Sequence, residues 1–213
     1  MKSFLNNILK VDPWLPDPET IQEAVTVLKK GGVIVFPTRG LYGLGVDAYN
    51  PKAVQKLFRL KKRAPHNPIL ILIRNREVIH EVADIVPPEA IALMDQFWPG
   101  DITIVLKAKP ALPETLTGGT GKIGLRIPAH PVAKNLVMTH DYPITGTSAN
   151  ISGTAACVDI NRMDFDFRKK IDLILDAGPL AGGPGSTVVD FSEIPFRLIR
   201  EGRIGKELLH PYI

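Results

Sequence analysis

Thr147-Ser148-Ala149-Asn150-Ile151-Ser152-Gly153 gathers small and hydroxylated residues around one amide, directly after a short apolar segment that reads as a strand. Ser148 and Asn150 offer donors and acceptors together, and small neighbours let a ligand approach the backbone closely. The same residues also make an ordinary capped turn, so the loop by itself leaves both readings open. A second cluster, Lys61-Lys62-Arg63, ends a predicted helix elsewhere in the chain. Cations are favoured at a helix C-terminus by the dipole alone. Lys61 and Arg63, one residue apart, could equally reach one anion, the arginine as a planar fork and the lysine as a mobile charge. Arg126 sits in the otherwise apolar run Ile123-Gly124-Leu125-Arg126-Ile127. Burying it alone is costly, so it is either ion-paired to a neighbour or a carboxylate receptor on a sheet face over a cleft.

Three other stretches are polar and glycine-rich. Pro37-Thr38-Arg39-Gly40-Leu41-Tyr42-Gly43-Leu44-Gly45 follows a strand and supplies the hydroxyls of Thr38 and Tyr42. Its glycines are not in dinucleotide-binding order, and no helix follows at once. Gly118-Gly119-Thr120-Gly121-Lys122 is not a phosphate loop, because Leu116 and Ile123 stand where Gly and Ser or Thr are required. It reads as a turn with Lys122 as an auxiliary contact. Gly185-Ser186-Thr187-Val188-Val189-Asp190 and Leu198-Ile199-Arg200-Glu201-Gly202 complete the polar set.

The elements that must carry these residues are legible from periodicity. Asp17 caps a helix, Pro18 fits its first turn, and Ile21, Ala24, Val25 and Leu28 form its apolar stripe before Gly31-Gly32 ends it. Val33 to Phe36 follows as a buried strand. Asn50-Pro51 opens a helix with Ala53, Val54, Leu57 and Phe58 on one face. Further helices are expected over 88–98 and 131–138, and strands over 69–73, 102–106, 123–127, 171–175, 187–191 and 196–199. This alternation predicts one α/β domain, an open twisted mixed sheet with flanking helices, over residues 17–213. Residues 1–16 read as an extended leader with little structure of their own.

Bulk properties narrow the function class. A chain of 213 residues with 45% hydrophobic content can bury a full core. Its formal charge of +4 permits a phosphate-bearing partner without demanding one. One cysteine, Cys157, excludes an intrachain disulfide and suits a reducing cytoplasm. No apolar run approaches the roughly 18 residues of a membrane helix, and the N-terminus is not a secretory signal. The five histidines lack metal-ligand spacing, and no serine, histidine and acid assemble into a triad. Metal-dependent hydrolysis and acyl-enzyme chemistry therefore have no support.

Taken in order, these segments resemble the TsaC/YrdC family, the threonylcarbamoyl-AMP synthases of tRNA modification. The resemblance rests on Pro37-Thr38 with Tyr42-Gly43-Leu44-Gly45, Lys61 with Arg63, Asn67-Pro68, and Trp98-Pro99-Gly100. Arg126 with Pro128, Ser148-Ala149-Asn150 with Ser152-Gly153, Ser186 to Asp190, and Arg200 with Gly202 complete it. It covers about residues 20–203. It implies a concave polar sheet face and a nucleotidyl transfer that joins L-threonine, bicarbonate and ATP into threonylcarbamoyl-AMP and pyrophosphate. It also implies the short form of the family, with no further domain.

By position, the resemblance assigns Lys61, Arg63, Asn67, Asn150 and Arg200 to ATP, with Lys61 and Arg63 catalytic. Thr38, Arg126, Ser148 and Ser186 fall to threonine or its carbamate. The amino acid brings its own nucleophile, so the reaction needs positioning and charge neutralisation, with Mg²⁺ accompanying ATP. The implied partners are the proteins that transfer the threonylcarbamoyl group, with direct contact to tRNA or double-stranded RNA as a further expectation.

The chain departs from the family pattern at Arg39, where an acidic residue is usual, and at Gly40, where threonine is frequent. Leu72 replaces a common histidine, Asp101 a common proline, and Gly185 a common glutamate. The nucleotide half is thus kept better than the amino-acid half. The alternative is a YciO-like paralogue, a binder of tRNA or double-stranded RNA or an enzyme with another substrate. That branch shares an Arg-Glu-Gly ending, here Arg200-Glu201-Gly202, but lacks the Ser-Ala-Asn element.

Overall fold

Asp17 and Asn50 begin the two longest helices as predicted. The structure is a computed structural model that describes residues 7–110 and 112–213. In chain order it comprises β1 (Ile8–Lys10), α1 (Pro18–Lys29), β2 (Ile34–Pro37), β3 (Tyr42–Gly45), α2 (Pro51–Lys61), β4 (Ile71–Leu72) and α3 (Ile79–Val82). Then come α4 (Pro88–Phe97), β5 (Ile102–Lys107), α5 (Glu114–Thr117), β6 (Lys122–Arg126), α6 (Pro131–His140), β7 (Ile144–Thr145) and β8 (Thr147–Ser148). The chain closes with α7 (Phe165–Arg168), β9 (Leu173–Asp176), β10 (Thr187–Asp190) and β11 (Arg197–Arg200).

The Asp17 carboxylate accepts from Thr20 N at 2.9 Å, and Asn50 Oδ1 accepts from Lys52 N and Ala53 N, both at 3.1 Å. Each satisfies amide donors that a helix start leaves orphaned. Helix α2 stops at Lys62, whose φ of 48° is left-handed. That turn reverses the chain and leaves Lys61 as the last helical residue, buried against the protein.

The expected mixed α/β architecture is present, but the strands form two sheets rather than one. The first has the order β1-β9-β2-β3-β8 and the second β11-β10-β5-β6-β4-β7. The segment 143–149 sews them together. Thr145 N donates to Val46 O and Ala149 N to Tyr42 O on one side, while Gly146 N donates to Leu70 O on the other, all at 2.9 Å. As the last two strands suggested, β10 and β11 pair antiparallel, while β10 also pairs parallel with β5.

Two differences from the sequence reading have physical causes. Residues 8–10 of the expected leader form edge strand β1, parallel to β9, so part of that segment belongs to the first sheet. Residues 1–6 lie outside the described residues. Strand β3, Tyr-Gly-Leu-Gly, has poor strand propensity, yet it pairs with β2 and β8. Gly43 is required there, because a Cβ would come within 3.0 Å of the Phe36 ring.

Helices α1 and α6 pack on one face of the first sheet through Leu28, Val25, Leu136 and Val137, against Ile34 and Phe36. The larger core lies beneath α2, α4 and the second sheet, where Leu57, Leu93, Ile104 and Leu125 meet. The uncovered faces of the two sheets bound a concavity.

Candidate active site

The floor of the concavity comes from strand alternation. Thr103 and Val105 on β5, Lys122 and Arg126 on β6, and Val188 and Asp190 on β10 all face the same way. The walls come from the first sheet and the turn after α2, and together they enclose a cavity of about 710 Å³. That volume suits a nucleotide-sized ligand. Thr38, Arg63, Arg126, Ser148, Ser186 and Arg200, six of the nine residues singled out from the sequence, line it. Lys61, Asn67 and Asn150 are not among the lining residues, Lys61 being buried and Asn67 exposed.

Lys61 is the most informative of these three. Its side chain is buried, and Nζ donates to Ser148 O at 2.5 Å, Asn150 O at 2.9 Å and Asn150 Oδ1 at 3.2 Å. Ser148 Oγ donates to the same Asn150 Oδ1 at 2.6 Å, and Asn150 Nδ2 donates to Thr154 O at 2.6 Å. The ammonium is therefore turned into the loop and is not a free point charge in the cavity. It organises Ser148-Ala149-Asn150 and presents Ser148 to the ligand space. Burial, followed by repulsion from Arg63, pushes the Lys61 pKa down to about 8. The capped-turn reading and the ligand-loop reading of this segment are thus both partly right: it is a turn, fastened by a buried cation.

Arg63 lies across the helix end. Its Nε donates to Asn67 O at 3.0 Å and a terminal nitrogen to Pro68 O at 2.9 Å. Asn67 accordingly meets Arg63 through its backbone carbonyl. The carbonyls leave the arginine's charge uncompensated and three of its five N–H donors unused.

Arg200, also in the lining, donates to Ser186 O at 2.7 Å, and Ser186 Oγ shares a 2.8 Å hydrogen bond with Thr103 Oγ1. Arg126 is held by Gly100 O at 2.6 Å and by the carboxylate of Asp101. Burial lowers its pKa, Asp101 opposes that, and Arg39, Arg200 and Arg203 reinforce it. Both sequence readings of Arg126 hold at once, since it is ion-paired and it faces the cavity.

Thr38 Oγ1 donates to Leu41 O at 2.6 Å, closing the turn between β2 and β3. Tyr42 does not offer its hydroxyl to a ligand. It donates to Gly178 O at 2.6 Å and accepts from Ala177 N at 3.0 Å, pinning the loop after β9. Burial drives the Tyr42 phenol well above its ordinary value.

Two residues gained little weight from the sequence. Lys122 lines the cavity with its Nζ 3.1 Å from Asp190. Asp101 is buried at the centre of an arginine cluster. The signal for Asp101 was an acid directly before an apolar strand, a position where burial without a partner would be prohibitive. Among the described residues, no group of three or more His, Cys, Asp or Glu could hold a metal ion. No helix there is long and apolar enough to cross a membrane.

Residues 26–202 match the family model Sua5_yciO_yrdC, described as Telomere recombination. Over 213 residues, all of this chain and 61% of the relative, the chain is 34% identical to the threonylcarbamoyl-AMP synthase of Pyrococcus abyssi. The crystal structure of P. abyssi Sua5 complexed with L-threonine superposes with a TM-score of 0.91 at 35% identity, covering 97% of this chain and 60% of that one. E. coli YciO superposes with a TM-score of 0.86 at 26% identity, covering 97% and 98%. The chain thus spans about six-tenths of the length of the P. abyssi protein. The match begins within α1 and runs past Arg200, taking in both ends of the cavity, and on that basis the chain belongs to the Sua5/YciO/YrdC family.

Proposed function

We propose that this chain condenses L-threonine, bicarbonate and ATP into threonylcarbamoyl-AMP, releasing pyrophosphate and water. The observation that carries the reading is one continuous cavity with a cationic group at each end, joined by the Lys61-fastened Ser148–Asn150 loop. In the reaction, the threonine nitrogen forms a bond to the carbon of bicarbonate as water is lost. A carbamate oxygen then attacks the α-phosphorus of ATP, and the bond to the β-phosphate bridging oxygen breaks. No protein nucleophile is required, only alignment and compensation of the charge on the leaving group.

In this reading Arg63 and Arg200 hold the nucleotide phosphates, and Arg126 receives the threonine carboxylate. Ser148, Ser186 and Thr38 line the amino-acid side. Lys61, through Asn150, keeps the joining loop in register and adds positive potential from behind. Asn67 aims Arg63. Asp190 is the one carboxylate among the lining residues, and its oxygens are engaged by Ser192 and Lys122. Mg²⁺ would therefore enter with the triphosphate and would supply charge neutralisation there. The product is an activated acyl adenylate, and its consumers are proteins that move the threonylcarbamoyl group onto tRNA.

Pyrophosphate release, measured with threonine and bicarbonate omitted in turn, tests the reading. The expected result is release only when both are present with ATP. Turnover of ATP that ignores threonine, or none with folded protein, would exclude it.

A further inference from the structure

Arg39 and Asp101 are separated by 62 residues and are two of the positions at which the sequence departs from its family's pattern, yet they form a 2.8 Å ion pair. Asp101 is the hub. Its Oδ1 holds Arg126 from β6, its Oδ2 holds Arg39 from the turn between β2 and β3, and Arg203 Nε lies 3.9 Å from Oδ2. Its own backbone is fixed, because Asp101 O accepts from Thr187 N at 2.9 Å and Gly100 N donates to Ile127 O at 3.1 Å. The Gly100-Asp101 segment therefore grips Arg126 twice, once by a carbonyl and once by a carboxylate.

Charge decides what this grip does. A buried Arg126 paired with Asp101 alone would be nearly neutral towards a carboxylate ligand. Three arginines around one carboxylate leave the cluster at +2. Arg39 is the exposed member, with 57% of its side chain accessible, and it lies outside the cavity lining. Gly40 makes room for the arrangement, since a Cβ there would sit 2.1 Å from the Arg203 guanidinium and 2.3 Å from Gly182 O. Gly182 N in turn donates to Gly40 O at 2.9 Å, so the cluster also docks the loop that follows β9.

We propose that Arg39 and Asp101 act as one positioning element for carboxylate recognition. Asp101 aims Arg126 into the cavity, and Arg39 draws off enough of the Asp101 charge to leave Arg126 attractive to an anion. The proposal rests on the synthase reading of the cavity, and it adds two residues that touch neither substrate.

The test is a kinetic cycle of Asp101→Asn, Arg39→Gln and the double variant, each checked for folding by its thermal transition. Asp101→Asn is expected to raise the threonine KM about tenfold, with kcat and the ATP KM within about twofold. Arg39→Gln is expected to raise the threonine KM about threefold. The double variant should be no worse than Asp101→Asn alone, because the Asp101 carboxylate is what holds the exposed Arg39 in the cluster. An unchanged threonine KM, an equal rise in the ATP KM, or multiplicative single effects would each overturn the proposal. If Asp101→Asn does not fold, Arg39→Gln at its exposed site decides by the same threefold criterion.

A second readout separates this proposal from the synthase reading. The Arg126 Nη2–H resonance, donated to the Asp101 carboxylate, should exchange slowly in the wild type and in Arg39→Gln, and rapidly in Asp101→Asn. Slow exchange that survives Asp101→Asn overturns the positioning role even if the wild type releases no pyrophosphate. Absence of threonine-dependent release in the wild type, with the resonance behaving as expected, overturns the synthase reading alone.

Discussion

The two ends of the cavity satisfy their cations by different means. At the Lys61 and Arg63 end the partners are backbone carbonyls and one amide oxygen, all neutral. At the Arg126 end a carboxylate shared among arginines is added to the Gly100 carbonyl. Carbonyl dipoles orient a cation without cancelling it, so the first end keeps its full charge for a polyanion. A carboxylate orients more strongly but removes a charge, and the second end recovers it with extra arginines. The first arrangement suits a triphosphate, which rewards net charge. The second suits a single carboxylate, which rewards direction.

Lys61→Met should break this comparison most severely. Among the described residues it removes the one side-chain cation holding the Ser148 and Asn150 carbonyls, taking the ammonium donor from Asn150 O while Ser148 O keeps Asn150 N. A loss of about 2–4 kcal/mol in stability is expected from such a buried site. Turnover should fall by more than about a hundredfold, even in protein that remains folded at low temperature. Normal turnover with normal stability would show that the loop does not depend on Lys61.

The Lys61 proton gives a sharper contrast with the other end. The unfolded chain holds this proton up to about pH 10.5 and the folded chain releases it near 8. Between those values the unfolded state binds more protons, so the Lys61 contribution to stability rises with pH. Removing the same proton weakens the field at the nucleotide, so kcat/KM for ATP should fall above pH 8 by up to about tenfold per unit. Threonine affinity, governed by arginines, should stay flat over that range. Chemical denaturation and initial rates across pH 7 to 10 would check the opposed trends. Trends that run in parallel would place the controlling group elsewhere.

Tyr42→Phe is the smallest expected perturbation. It removes one hydroxyl that binds both Gly178 O and Ala177 N, at a cost of about 1–2 kcal/mol. The loop after β9 should then show faster amide exchange at Ala177, with both KM values within about threefold. Exchange unchanged from the wild type would mean that the Gly40 and Arg203 contacts alone hold that loop.

Much of this arrangement was legible in the sequence, for identifiable reasons. Caps at Asp17 and Asn50 and strong apolar periodicity marked α1 and α2, because those signals act within one turn. The order of polar motifs carried the family resemblance, and the family match bears it out. Strand β7 was legible as the short apolar segment before Thr147, but β3 and β8 were not, since a glycine-rich four-residue strand and a two-residue Thr-Ser strand form only because neighbouring strands pair with them. The division into two sheets escaped for the same reason. Lys61 was found, but its direction was not, because a spacing cannot show that the chain reverses at Lys62 and carries residues 148–150 over the helix end. Arg39 and Asp101 were visible only as two separate oddities, and the pairing across 62 residues that joins them belongs to the tertiary fold.

The central claim is that one cavity holds a nucleotide at the Arg63 end and an amino acid at the Arg126 end. Steady-state pyrophosphate release by Arg63→Gln and Arg126→Gln, titrated separately in ATP and in threonine, tests it most directly. The account predicts that Arg63→Gln raises the ATP KM by at least about tenfold and leaves the threonine KM within twofold, and that Arg126→Gln does the reverse. Both constants rising together in either variant, or neither rising in both, would contradict the division of the cavity into two ends.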